Sequence, residues 1–73
     1  MARQTIHGAV ADALREMGVE KVIVDLTRRH PRVLWEDRDQ RGIITVPGTA
    51  SDRRSMVNNV TMARRIIRQA RGG

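Results

Sequence analysis

The sequence predicts a small α+β domain of the order α-β-β-β-α, with a three-stranded antiparallel sheet and two helices packed on one face of it. Three observations carry this reading. Apolar residues recur at helical spacing near both ends of the chain. Between these segments stand three short runs rich in β-branched residues, separated by proline, glycine and charged turns. The connections are too short for crossovers, so successive strands must run antiparallel. Two amphipathic helices laid on the same sheet face then make a two-layer domain. With 73 residues the chain has room for one domain, residues 1–73, and no repeat or linker divides it.

The first helix is read from Thr5 to Met17. Ile6, Val10, Ala13, Leu14 and Met17 fall on one face, Thr5 caps the start and Gly18 ends it. Gly8 weakens the first turn, and Asp12, Arg15 and Glu16 take the wet side. Lys21 to Thr27 reads as a strand in which Val22, Val24 and Leu26 share a face. Pro31 cannot donate to a ladder, so Arg28 to Pro31 connects this strand to the next, Arg32 to Asp37. A charged turn over Arg38 to Gly42 leads to a third strand, Ile43 to Val46, which Pro47-Gly48 stops. Residues 49–55 are polar, with Ser51 or Ser55 as cap and Asp52 suited to the first turn. Asn58-Asn59 marks a kink or a late start. Met56, Val60, Ala63, Ile67 and Ala70 then step along one helix face, and Gly72-Gly73 frays.

Charge narrows the function classes. Fourteen basic residues oppose eight acidic ones, and no acid follows Asp52. Residues 1–52 are neutral in sum, so the whole net charge of +6 lies on Arg53, Arg54, Arg64, Arg65, Arg68 and Arg71. Such one-ended charge points to an anionic partner. Thirteen of the basic residues are arginine, whose planar fork matches phosphate oxygens two at a time. The absence of cysteine excludes disulfides and thiolate metal sites and fits a reducing, cytoplasmic compartment. No apolar run approaches the ~20 residues of a membrane span. A membrane partner is not expected, because the last helix lacks bulky aromatic anchors.

The element order resembles the double-stranded-RNA-binding fold, and within it the chain is similar to the HicA toxins of bacterial toxin–antitoxin pairs. The carriers are a helix ending in Met17-Gly18, a strand leading to a basic residue and His30, the strand Val33-Leu34-Trp35-Glu36, the stretch Gly42 to Pro47, and a helix ending Ile66 to Ala70. The resemblance implies ribosome-independent cleavage of mRNA, with His30 as the catalytic residue, and a partner antitoxin that covers the site. Arg29 stands where the family has a small residue, and Pro31 where it has a strand residue. The segment after Pro47 lacks the family's further histidine.

The chemistry of the residues supports a minimal site. Cleavage of RNA by its own 2′-OH needs a group that exchanges a proton near neutral pH, the ordinary range of histidine. Arg28, Arg29 and Arg32 flank His30 and suit a phosphate clamp. Arg53 and Arg54 stand where a helix start meets phosphates across a groove, and Arg64, Arg65 and Arg68 extend the basic surface. His7 reads as a surface residue of the first helix. Metals and other cofactors are not expected, since the histidines stand far apart without carboxylates at ligand spacing. Glu36, Asp37 and Asp39 read as a solvated edge. Trp35 is the sole aromatic and reads as core packing; a single-strand reader that stacks bases is disfavoured. Two functions remain. One is a HicA-like RNA-binding endoribonuclease. The other, favoured by Arg29 and Pro31, is a non-catalytic module that binds nucleic acid or protein through its basic helix. Small size and thin stability point to a homodimer, through sheet-edge pairing, or to an obligate partner.

Overall fold

Helix starts leave amide donors open, and Thr5 closes one of them. Its backbone is extended and its Oγ1 accepts the Gly8 amide at 3.0 Å. The computed structural model describes residues 5–47 and 53–72; Ser51 and Asp52, expected to cap the last helix, lie outside them. From Thr5 the first helix, α1, runs Ile6–Glu16. A Cβ at Gly8 would lie 2.9 Å from the Thr5 hydroxyl. The residue that reads as a weak point therefore leaves room for the cap. Beyond Met17, Gly18 takes φ +80°. Its amide donates to the Arg15 carbonyl and that of Val19 to the Leu14 carbonyl. This paired closure of a helix end needs a left-handed residue, which glycine supplies at little cost.

The three strands are β1 (Lys21–Asp25), β2 (Arg32–Asp37) and β3 (Gln40–Thr45), antiparallel in the order β1-β2-β3. β3 begins earlier than its apolar residues suggest. Asp37 pairs with Gln40, so only Arg38 and Asp39 make the turn, with Arg38 at φ +57° and its amide donating to Glu20 Oε1 at 2.5 Å. Gly42 is thereby a strand residue, not a turn residue. It pairs with Trp35, and a Cβ on it would meet the indole at 2.9 Å. The tryptophan lies over bare backbone there, which is one of the few reasons for glycine inside a strand.

Alternation sorts the strand residues into two faces. Val22, Val24, Val33, Trp35 and Ile44 turn to the helices and join Val10, Leu14, Val19 and Val46 in one core. β1 stops at Asp25, so Leu26 escapes this alternation and is exposed. The last helix, α2, spans Arg53–Ala70. Its Ala63 and Ile67 are fully buried, with Met56, Val60, Ile66 and Ala70 packed beside them. It begins before Ser55, which is a helix residue and not a cap. The helix passes Asn59 unbroken; that buried amide donates to the Ser55 carbonyl at 2.8 Å. Gly72 is ordered as an end cap, at φ +78° with its amide on the Gln69 carbonyl.

One charged pair joins the ends of three elements. Asp37, at the end of β2, is 5% exposed, contrary to its expected place on a solvated edge. It alternates with Val33 and Trp35 and so faces inward. The Arg71 Nε donates to its Oδ2 at 2.8 Å, and the Arg71 Nη1 donates to the Met17 carbonyl at 3.0 Å. Beside them the Gln40 side-chain amide donates to the Ala70 carbonyl. The hydrogen bond from Arg71 is the main reason that the Asp37 carboxyl is held below its ordinary pKa, against an opposing effect of burial.

Two outcomes follow from this packing. Gly42→Val forces the indole aside and is expected to cost about 1–3 kcal/mol, as overpacked sites do, read as a lower urea midpoint at unchanged slope. A lowered folded pKa adds stability that is complete above the unfolded value and lost as pH falls through the folded one. Asp37→Asn should therefore melt below the wild type at pH 7, and the difference should shrink below about pH 4, where free aspartate protonates; thermal melts by circular dichroism across this range check it.

Candidate nucleic-acid interface

The loop between β1 and β2 is built by Asp25. Its Oδ1 accepts the Thr27 hydroxyl at 2.6 Å and the Thr27 amide at 2.9 Å, which turns the chain out of the sheet. Those bonds are the main reason that the Asp25 carboxyl is held below its ordinary pKa. At the far side of the loop, the Pro31 carbonyl accepts the Val46 amide at 3.0 Å and ties the loop to the end of β3. Arg28, Arg29 and His30 stand between these anchors, all exposed. Among the described residues His30 makes no hydrogen bond.

The position of α2 follows from its other end. Arg71 and the Ala70 carbonyl are fixed at the β2–β3 turn. An 18-residue helix is about 27 Å long, and its apolar face lies along the core. Its first turn therefore lies about 27 Å from that anchor. Arg53 and Arg54 are exposed there and line a shallow open depression with Val57 and Asn58. Arg28, Arg29 and His30 are thus gathered on the β1–β2 loop, and Arg53 and Arg54 on the first turn of α2. The backbone amides that open α2 add positive potential at the same place.

The remaining arginines are placed differently. Arg32 is half-buried and its Nη2 lies 3.4 Å from Asp25 Oδ2, so it braces the loop from within the sheet. Arg64, Arg65 and Arg68 are exposed on the second half of α2, and Arg64 lies 3.7 Å from Glu16 Oε2. Arg71 is neutralised by Asp37, so the C-terminal charge is less free than composition implies. Arg28, Arg29, Arg53, Arg54, Arg65 and Arg68 have no carboxylate in ion-pair range among the described residues. His7 is half-buried in the first turn of α1, and Trp35 packs in the core.

This arrangement is suited to holding phosphates, with one group able to exchange a proton beside them. Among the described residues no three His, Cys, Asp or Glu side chains are gathered as metal ligands, and no helix is long and apolar enough to cross a membrane. Sequence reasoning missed the Asp37–Arg71 pair, although its signal was present: an acid in step with two inward apolar residues. No protein-family model matches the chain, and neither the curated proteins nor the solved structures contain a significant match.

Proposed function

We propose that the chain is an RNA-binding protein of the HicA-like kind, which holds helical RNA at the Arg28, Arg29, Arg53 and Arg54 end and cleaves it with His30 as acid or base. The supporting observation is two exposed arginine pairs, one beside the exposed His30 on a loop and one on a helix start, with no carboxylate in ion-pair range among the described residues. Double-stranded RNA is read by shape and by phosphate and 2′-OH contacts. A surface of guanidinium groups without aromatic platforms fits that mode. The element order is α-β-β-β-α, and His30 stands in the loop two residues before β2.

The reaction in this reading is internal transfer. The 2′-oxygen attacks the adjacent phosphorus, the bond to the 5′-oxygen breaks, and a 2′,3′-cyclic phosphate and a 5′-hydroxyl result. His30 takes the 2′-OH proton or delivers one to the leaving 5′-oxygen, and water carries the other. The arginines offset the charge that builds on the phosphoryl oxygens. A second reading, a binding module without cleavage, is favoured by Arg29 and Pro31 around His30 and by the lack of a hydrogen-bonded partner to orient the imidazole among the described residues.

Binding to duplex RNA should weaken steeply with salt, because phosphate contacts release counterions. Each of Arg28→Ala, Arg29→Ala, Arg53→Ala and Arg54→Ala should lower the slope of log affinity against log salt by about 1, read by fluorescence anisotropy. His30→Ala should leave that binding intact and slow cleavage by about 10²–10⁴-fold, the usual share of one proton-transfer group. Binding with no cleavage by the wild type selects the second reading. Absence of salt-dependent binding removes both.

A further inference from the structure

The helices cover one face of the sheet and leave the other open. The strand register sets nine side chains on that open face in three rows. Ile23, Leu34 and Ile43 form the middle row, with Ile23 47% and Ile43 55% exposed. One flanking row is Lys21, Glu36 and Arg41; the other is Asp25, Arg32 and Thr45. Each flanking row lies two residues, about 7 Å, from the middle one. An apolar row across an open sheet, fenced by charges of both signs, is costly to leave in water and informative about what covers it.

We infer that this face binds a second copy of the chain. A two-fold axis along the middle row lays that row on itself and exchanges the two flanking rows. Lys21 then faces Asp25 of the second copy, Glu36 faces Arg32, and Arg41 faces the Thr45 hydroxyl, each twice by symmetry. Every charged side chain of the face meets an opposite charge or a hydroxyl, which is the self-complementarity an isologous dimer requires. The other in-plane axis, along β2, sets Lys21 against Arg41, Glu36 against Glu36 and Arg32 against Arg32. Like charges exclude it, so the charge pattern selects both the partner and its orientation. Among the described residues the guanidinium of Arg32 gives only Nη2 to Asp25, at 3.4 Å.

Size sets the strength. Three strands by five residues make a footprint of roughly 15 × 17 Å, well under the ~800 Å² per partner of a standard interface. The dimer belongs to the weak class, with a dissociation constant on the order of 10⁻⁴ M. Its two basic ends remain uncovered, because they lie on loop and helix residues outside the paired faces.

Sedimentation equilibrium of the full chain from about 10 µM to about 1 mM tests this. The wild type should pass from monomer toward dimer, less readily as salt rises. Ile43→Lys and, separately, Ile23→Lys should stay monomeric throughout with unchanged far-ultraviolet circular dichroism; both positions already face water, so either folded variant suffices. In amide NMR spectra of the wild type, dilution should move signals of the nine outward residues. A monomer at the highest concentration overturns the inference, as does a dimer indifferent to both substitutions. Dilution shifts confined to the outer edges of β1 and β3 also overturn it, since they would mark edge pairing.

Discussion

The ion pair between buried Asp37 and half-buried Arg71 sets the geometry on which the rest depends. It joins the last residue of β2 to the residue after α2, and through the Met17 carbonyl it reaches the end of α1. Three chain segments that share no local sequence are thus fixed at one end of the sheet. Apolar burial is non-directional, so by itself it specifies helix orientation less tightly than a directional bond does. A charge-assisted hydrogen bond is directional. With the C-terminal end of α2 pinned, its length carries Arg53 and Arg54 about 27 Å from that anchor. The pair thus constrains where the first turn of α2 lies without itself bearing free charge.

The same pair shows what composition conceals. Net charge of +6 treats every arginine alike, yet Arg71 is a core staple, Arg32 braces a loop, and Arg64 lies near Glu16. Among the described residues, the cations without a carboxylate in ion-pair range are the loop arginines, Arg53, Arg54, Arg65 and Arg68, together with Lys21, Arg38 and Arg41 of the sheet and its turn. They are consequently distributed over a loop, a helix and the sheet, rather than along one continuous helix stripe. Electrostatic attraction of an anion is governed by that distribution rather than by the total.

Much of the fold was legible because its determinants are local. Thr5, Gly18 and Pro31 act through their own backbone chemistry, and the apolar spacing of α1 and α2 reflects helix geometry directly. What escaped was decided by partners distant in sequence. The β3 boundary depends on Asp37 opposing Gln40, so polar residues enter a strand that its own composition does not announce. Gly42 is indistinguishable from a turn glycine until Trp35 is known to lie over it. The burial of Asp37 is likewise a tertiary fact, although the inward alternation Val33, Trp35, Asp37 was available to be followed one step further. For the site, the residue types around His30 were evident; that Arg32 and Arg71 are taken up by Asp25 and Asp37 needed the three-dimensional structure.

The two surfaces of the molecule obey different constraints. The loop-and-helix end concentrates one sign of charge, which repels a like surface and suits a polyanion. The open sheet face alternates signs about an apolar row, which is poorly suited to a polyanion, since Asp25 and Glu36 would oppose its phosphates. A single partner of either kind cannot satisfy both. Isolated charge alternation on a sheet often serves cross-strand pairing within the chain, and here Lys21 and Glu36 are indeed register neighbours. That intrachain role, however, constrains only neighbours along a row. It places no condition on the relation between one row and the other, and it is this second relation, opposite signs across the apolar row on both β1 and β2, that makes the face complementary to itself.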